Sequence, residues 1–195
     1  VLVTELITST MAGYAFACLK FRGKNILFLF YLISMMIPFH VMLVPTFELL
    51  KNMNLLNSLW SLIWPVLTLP FGVFLMRQFF GDLPIELAES AKIDGCTPWG
   101  ICTKIYLPLS KPSVATLSIF IFIATWNDFL KPLIYLSDSK KNTLTLGIYL
   151  MQGTYSTNWP VLMATCTLSL LPALILFLCM QDLFVEGIAM SGIKG

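Results

Sequence analysis

The sequence predicts an all-α bundle of membrane-spanning helices, and three observations indicate this fold class. Hydrophobic residues make up 57% of the 195 residues and charged residues only 11%, and the mean hydropathy is +0.83. Soluble domains carry roughly 25% charged residues to cover their surfaces, so most of this chain must face lipid or other chains. Five long apolar stretches, close to the length of about 20 residues that a bilayer requires, complete the pattern.

The five predicted spans are Val1–Leu19, Asn25–Val44, Leu59–Met76, Ser113–Leu136 and Pro160–Leu183. Each is expected to be a helix, because an isolated segment in hydrocarbon must satisfy its backbone hydrogen bonds internally. A transmembrane β-barrel would instead show short alternating segments, which these are not. Prolines inside the spans are expected to bend them, and they lie at Pro38, Pro65, Pro70, Pro132 and Pro172.

Lysine and arginine residues are unevenly shared between the loops on the two sides of the predicted bundle. One side holds eight, namely Lys20, Arg22, Lys24, Arg77, Lys92, Lys104, Lys111 and Lys194. The positive-inside rule makes this side cytoplasmic, which places Val1 outside and the carboxyl terminus inside. The net charge of +2 includes no basic run, so no nucleic-acid partner is expected. Because the chain enters an apolar stretch directly at Val1, we expect an internal start and six spans in the complete protein.

The longest cytoplasmic segment, residues 77–112, carries signals for two short helices. Asp82 and Pro84 indicate a helix start, and a helix is predicted over Ile85–Ile93. Asp94-Gly95 should end it, because glycine readily adopts the left-handed conformation that closes a helix. Thr97-Pro98 predicts a second start, with a helix that stops before Leu107-Pro108. The segment is therefore predicted to be a helix-turn-helix that projects into the cytoplasm.

The spacing within this segment resembles a known loop. Glu89-Ser90-Ala91, three residues, Gly95, nine residues, Ile105, one residue and Leu107-Pro108 resemble the E-A-A…G…I-x-L-P loop of permease subunits of ATP-binding-cassette importers. Ser90 stands where that pattern has alanine. Further motifs resemble the carbohydrate-importing, maltose-permease-like branch: Met36-Ile37-Pro38, Phe71-Gly72-Val73-Phe74-Leu75, Arg77-Gln78-Phe79, Trp126-Asn127-Asp128-Phe129, Gln152-Gly153 and Phe184-Val185-Glu186-Gly187.

The resemblance implies a single transmembrane permease domain over residues 1–195, in a bacterial-type plasma membrane. It implies a second related permease, two ATP-binding-cassette ATPase subunits and an extracytoplasmic sugar-binding protein as partners. ATP and magnesium would be bound by the ATPase, so no cofactor or metal is expected here. The implied ATPase-docking loop is 77–112, and the residues expected to form it are Glu86, Ala88, Glu89, Ser90, Ala91, Asp94, Gly95, Ile105, Leu107 and Pro108.

Physical reasoning supports a docking role for this loop. Ala88 and Ala91 lie three residues apart on one helix face, where their small side chains would let another protein approach closely. Glu86 and Glu89 could meet basic groups of an ATPase. Motion of the ATPase would then reach the spans through Ile105 and Pro108, as in rigid-body switching between two states.

Two readings of Asn127 and Asp128, near the outer end of the fourth span, remain open. Polar residues at membrane depth are costly and should face the bundle interior or water, where they could line a sugar path. Alternatively, Asp128 pairs with Lys131 and Asn127 bonds backbone that Pro132 leaves free. Aromatic residues near the outer boundary either form an interfacial belt or, in the loop from Gln152 to Trp159, contact the binding protein. They are Trp126, Tyr135, Tyr155 and Trp159.

Three classes of function are distinguishable from the sequence. The chain lacks a phosphate-binding loop, a zinc-protease motif and a nucleophile elbow, so no catalytic residues are assigned and ATP must be hydrolysed elsewhere. An ion-coupled secondary transporter should carry several ionisable residues deep in its spans, and these are scarce. A permease subunit needs only spans, a cavity and a docking loop. Its solute is predicted to be a sugar, with a polyol or glycerol phosphate as the alternative.

Overall fold

A computed structural model describes residues 1–152 and 157–192, with side chains as far as Gln181. All regular elements in these ranges are helical, which confirms the all-α class. The α-helices are α1 (Leu2–Cys18), α2 (Lys24–Met35), α3 (Phe39–Asn52), α4 (Trp60–Ile63), α5 (Pro70–Asp82), α6 (Ile85–Ile93), α7 (Pro98–Ile101), α8 (Leu107–Leu109), α9 (Lys111–Trp126), α10 (Leu130–Tyr135), α11 (Leu144–Leu150) and α12 (Trp159–Gly192). Trp64–Val66 and Ser139–Lys141 are 3₁₀ turns, and Cys102–Tyr106 is a π-helical turn.

The predicted spans differ from the observed helices in continuity. Within the described ranges one helix, Trp159–Gln181, is long and apolar enough to cross a bilayer, and the number rises to four if each of three broken pairs counts as one span. The first predicted span forms α1, a shorter apolar helix of 17 residues. The second, third and fourth spans are each interrupted, so they are broken into shorter helices rather than only bent, and the count of five spans stays a prediction.

Prolines explain two of these interruptions. Pro38 precedes the first residue of α3 in an extended conformation, and Pro70 is the first residue of α5. Proline has no backbone N–H and favours an extended residue before it, so it starts a new helix more readily than it continues one. Pro132 also lies in the first turn of its helix, α10, after a break at Asn127–Phe129. Pro172 lies inside the continuous helix α12.

The chain forms two compact units. The loop-bearing unit contains Leu2–Ile37, Thr68–Ser118 and the chain from Met180; the second unit contains Val1, Pro38–Leu67 and Ile119–Cys179. The predicted docking loop belongs to the loop-bearing unit, and Asn127 and Asp128 belong to the second. The single domain over residues 1–195 stays a prediction.

Close packing of α1 against α5 forms the centre of the loop-bearing unit. A Cβ atom added to Gly13 of α1 would lie 2.5 Å from the Met76 Cβ, and one added to Gly72 of α5 would lie 2.6 Å from the Ser9 Oγ. Met76 and Ser9 are fully buried in this contact. Small residues that let helix backbones approach are the usual device for helix association in membranes. Glycine is therefore required at both positions by space.

Hydrogen bonds from Asn57 organise part of the second unit. Asn57 adopts a left-handed conformation with φ of 56°, and its backbone N–H donates to the Tyr135 carbonyl at 2.8 Å. Its Oδ1 accepts from the backbone N–H groups of Ser137 and Asp138 at 3.2 and 3.0 Å. The Lys141 Nζ donates to the Asn57 carbonyl at 2.7 Å. This residue thus joins the segment before α4 to the chain that follows α10, a role that no sequence pattern indicated.

Replacing Gly13 with alanine tests the helix contact. The added methyl group must displace Met76 or separate the helices, and overpacking of this kind costs about 1–3 kcal/mol. We expect a lower melting temperature of the detergent-solubilised protein, followed by the size-exclusion peak after heating.

Gly81→Ala is the matched control, because nothing lies within 4 Å of a Cβ added at Gly81. Equal melting temperatures for Gly13→Ala and Gly81→Ala would contradict the packing argument.

Candidate functional site

The segment predicted to dock an ATPase begins with helix α6, which covers Ile85–Ile93. This is the range that the sequence predicts. The start signal differs in detail: Asp82 is the last residue of α5, and the residue that precedes α6 is Pro84, with φ of −57° and ψ of 129°. The two helices are thus separated only by Leu83 and Pro84. The docking segment 77–112, called the arm from here on, therefore continues directly from α5.

Helix α6 ends at a turn that requires glycine. Gly95 has φ of +81°. Its N–H donates to the Lys92 carbonyl at 3.0 Å, and the Cys96 N–H donates to the Ala91 carbonyl at 2.9 Å. This pair of bonds is the Schellman motif, in which the left-handed residue costs other amino acids about 1–2 kcal/mol. The predicted role of Gly95 as the helix stop agrees with this geometry.

The second half of the arm begins as predicted and ends later. The Thr97 Oγ1 accepts from the Gly100 N–H at 3.2 Å and caps α7. The helix does not stop before Leu107-Pro108: it widens into the π-helical turn Cys102–Tyr106 and continues through α8 to Leu109. Because the ring of Pro108 would clash with the Lys104 carbonyl in a regular α-helix, the wider turn accommodates it. The chain then bends by 82° into α9.

The burial of α6 corrects the predicted docking face. Ala88 and Ala91 are only 8% and 5% exposed, since they pack against their own chain. They cannot therefore be the surface that another protein approaches. The opposite face is open: Ile93 is 87% exposed, and Glu86, Glu89, Ser90, Asp94 and Gly95 are exposed as well. The Ser90 hydroxyl donates to the Glu86 carbonyl, which satisfies the polar group at the position where the family pattern has alanine.

Three aromatic rings attach the arm to the membrane helices. Tyr14 of α1, Phe80 of α5 and Tyr106 of the π-helical turn form a triad, with centroid distances of 6.0, 5.4 and 5.7 Å and edge-on geometry. Such pairs contribute about 0.5–1.5 kcal/mol each beyond their buried area. Burial raises the pKa of Tyr106 to about 12, so its hydroxyl stays neutral. Sequence reasoning missed this triad because its members are far apart along the chain.

The predicted lever residues lie just after this triad. Ile105 and Leu107 are half-buried, whereas Pro108 is exposed. Leu107 and Pro108 also line an apolar cavity of about 760 Å³, together with residues such as Trp99 and Met11. Tyr106 and the fully buried Ile101 hold this part of the arm, and the transmission role of Ile105 and Pro108 stays a prediction.

The second unit holds Asn127 and Asp128 in the break between α9 and α10. Asp128 forms an ion pair with Lys131, with 2.9 Å between Oδ2 and Nζ, and accepts from the Lys131 backbone N–H at 3.3 Å. This is the structural reading that the sequence left open. Asn127 is exposed, and its Nδ2 donates to the Ile123 carbonyl at 3.0 Å rather than to backbone freed by Pro132. Their role in a translocation path stays a prediction.

The aromatic residues assigned to an outer belt are not equivalent. Tyr135 is fully buried, so the belt assignment is wrong for it. The Trp126 indole N–H donates to the Ser169 carbonyl at 3.1 Å, whereas Trp159 is exposed. Tyr155, Gly153 and Lys194 lie outside the described residues, as do the side chains of Phe184-Val185-Glu186-Gly187. In the part of the chain that is described, no group of three His, Cys, Asp or Glu residues could hold a metal ion.

Comparison with known proteins identifies the family. Residues 9–189 match the family model of the binding-protein-dependent transport system inner membrane component. The chain belongs to this family. The resemblance drawn from the sequence motifs is thereby confirmed, and the family is one of transporter subunits rather than enzymes.

The permease is similar to several curated relatives along nearly its whole length. It is 39% identical over 195 residues to the arabinooligosaccharides transport system permease protein AraQ of Halalkalibacterium halodurans, covering 100% of this chain and 70% of the relative. It is 36% identical over 191 residues to the sn-glycerol-3-phosphate transport system permease protein UgpE of Salmonella typhi, covering 97% of this chain and 68% of the relative.

A solved structure shares the fold. A chain of a bacterial ABC transporter involved in the import of the acidic polysaccharide alginate superposes with a TM-score of 0.84 and 23% sequence identity, covering 93% of this permease and 69% of that chain. At this identity the similarity establishes the fold of the permease and does not identify its solute.

Truncating Tyr106 tests how the arm is held. Tyr106→Ala removes the ring that joins the arm to α1 and α5, and loss of a buried aromatic side chain costs about 3–5 kcal/mol. We expect faster hydrogen exchange of the Ile85–Ile101 amides, measured by mass spectrometry. Tyr106→Phe keeps the ring and should leave that exchange close to the parent, and equal exchange in both variants would refute the role of the triad.

Proposed function

We propose that the permease forms half of the translocation path of an ATP-driven, binding-protein-dependent sugar importer in the plasma membrane of a bacterium. A second related permease forms the other half, two ATPase subunits bind ATP and magnesium, and an extracytoplasmic protein delivers the solute. The observation that carries this proposal is the arm of residues 77–112: it is fixed to two membrane helices at one end and presents an exposed face at the other. Family membership supplies the transport context.

The ATPase-docking face consists of the exposed side of α6 and the turn after it. Ile93 supplies an apolar contact, and Glu86, Glu89 and Asp94 supply negative charge around it. A central apolar residue within a polar rim is the usual layout of a protein interface. Trp99 on α7 is 59% exposed and is of a residue type that is enriched at interfaces, so it is a further candidate contact. Closure of the ATPase dimer would move this face, and the aromatic triad would pass that motion to α1 and α5.

An uncharged sugar suits the permease better than a phosphate ester. The relative AraQ is named for arabinooligosaccharides and UgpE for sn-glycerol-3-phosphate. A phosphate ester requires a cation along its path, and Lys131, the one cation in the stretch 113–136, is paired with Asp128. Glycerol phosphate is the second candidate because of UgpE. An ion-coupled transporter is the less favoured alternative, and it would keep working after ATP depletion.

Photo-crosslinking tests the docking face directly. A photoreactive amino acid is placed at Ile93, Glu86 or Trp99 in the complete importer, and the same group is placed at Ala88 and Ala91 as buried controls. We expect the exposed positions to capture the ATPase subunit and the buried ones to capture only the permease itself. Failure of all exposed positions to capture an ATPase would refute the docking proposal. Capture from Ala88 would instead support docking through the face that carries Ala88 and Ala91.

Substitutions of Asn127 and Asp128 distinguish a role in the translocation path from a role in stabilising the fold. Asp128→Asn leaves Lys131 without its ion pair, and loss of a charged hydrogen bond in a partly buried site costs about 1–3 kcal/mol, so a lower melting temperature is expected.

Asn127→Ala removes only an exposed side chain with a local bond, so stability should hold while the apparent affinity for sugar falls in a vesicle uptake assay. Unchanged uptake at normal expression would exclude Asn127 from the path.

A further inference from the structure

A second cavity, of about 390 Å³, lies beneath α6 in the loop-bearing unit. Its walls are the end of α1, the turn that leads to α2, the end of α5, one side of α6 and the π-helical turn. The polar lining consists of Lys20, Lys24, Lys92, Glu89, Tyr14 and Tyr106. Cavities of this size accommodate small polar ligands. The docking face shares Glu89 with this cavity, and the predicted sugar path does not use it.

The charge of the cavity lining is predominantly positive. Lys20 and Lys24 come from the chain after α1 and Lys92 comes from α6, whereas Glu89 is the one carboxylate in the lining. Neither Lys20 nor Lys92 takes part in an ion pair within the part of the chain that the structure describes. Three cations around one cavity repel each other unless an anion joins them.

Lys24 is held in place rather than free to reach solvent. Its Nζ donates to the carbonyls of Ala17 and Leu19 at 2.9 and 3.1 Å, which satisfies the carboxyl end of α1. An ammonium group that is fixed in position is preorganised for an anion, because little side-chain entropy remains to be lost.

Two buried tyrosines complete the lining. Tyr14 and Tyr106 are 7% and 3% exposed, and their rings are fixed by the triad with Phe80. Phenol hydroxyl groups donate hydrogen bonds to anionic oxygens as well as to water. The Tyr106 hydroxyl is hydrogen-bonded to Cys18. The donors that the cavity offers to an anion are therefore Tyr14 on α1, Lys20 and Lys24 in the turn after it, and Lys92 on α6. Donors on several sides suit the several oxygens of a phosphate group better than the two of a carboxylate.

We propose that this cavity binds a phosphate group, supplied either by the headgroup of an anionic phospholipid or by a soluble phosphorylated metabolite. Basic pockets beside membrane helices on the cytoplasmic side are typical sites for anionic headgroups. A phosphate in this position bridges Lys20 and Lys24 to Lys92, and so ties the arm to α1. Binding itself does not depend on the proposed function, whereas an effect on coupling rests on it.

The test uses the complete importer in nanodiscs made of phosphatidylcholine alone or with phosphatidylglycerol, and native mass spectrometry to count retained lipid. A parallel arm titrates inorganic phosphate and follows the phosphorus-31 resonance in phosphatidylcholine nanodiscs. The double variant Lys20→Gln and Lys92→Gln should weaken binding by about tenfold, because each exposed charge contributes up to about 1 kcal/mol. Lys140→Gln removes an exposed lysine elsewhere and should change nothing.

Glu89→Gln should change the affinity for phosphate in the direction opposite to the double lysine variant. Removing the one carboxylate of the lining should strengthen phosphate binding severalfold, which a purely structural role of these residues would not produce. Retention of phosphatidylglycerol assigns the lipid source, and saturable binding of inorganic phosphate assigns the soluble one.

The proposal is overturned if neither probe binds, or if the double lysine variant binds as much phosphate or lipid as Lys140→Gln does. It is also overturned if Lys20 and Lys92 form crosslinks to carboxylates of the ATPase. The photo-crosslinking of Ile93 is independent of these outcomes, so the two proposals fail separately.

Discussion

Everything in the loop-bearing unit depends on how closely α1 approaches α5. Gly13 faces Met76 and Gly72 faces Ser9 at distances that no larger residue allows. In lipid, apolar side chains gain little by leaving the solvent, so close van der Waals contact between backbones must supply the association. The same contact brings Tyr14 and Phe80 within ring distance of each other, and the arm packs on the pair through Tyr106. Helix packing and attachment of the arm are therefore one structural feature.

The arm is consequently a rigid extension of two membrane helices. Its own helices are short, and helices of this length are marginal by themselves in water. Capping by Thr97, the turn at Gly95 and burial of Ala88 and Ala91 stabilise them from three directions. Burying the small alanine face within the chain leaves larger side chains, such as Ile93, on the outside. This is the arrangement that a transmission element requires: small residues where it joins its own chain, and larger ones where a partner can bind.

Local signals predicted much of this structure, and long-range contacts explain what they missed. The bounds of α6, the left-handed Gly95 and the cap at Thr97 follow from neighbouring residues, so the sequence alone indicates them. The burial of Ala88 and Ala91 depends on tertiary packing, which the spacing of residues within α6 does not indicate. The prolines marked where the spans deviate, but the sequence alone does not distinguish a bend within a helix from the start of a new one, as at Pro38 and Pro70.

The position of the phosphate cavity connects these observations. Its lining includes Ala88, Glu89 and Lys92 of α6, so a ligand there would lie beside the same helix whose exposed side would meet the ATPase. The aromatic triad provides an attachment that is apolar and independent of conditions, whereas Lys20, Lys24 and Lys92 provide one that responds to the anions available. If the second attachment adds to the first, the stiffness of the arm, and with it the coupling of ATP hydrolysis to transport, varies with the lipid or metabolite composition of the cell. An importer with both attachments would transmit motion from the ATPase most efficiently when the cavity is filled, because movement of the arm relative to α1 and α5 would then be smallest.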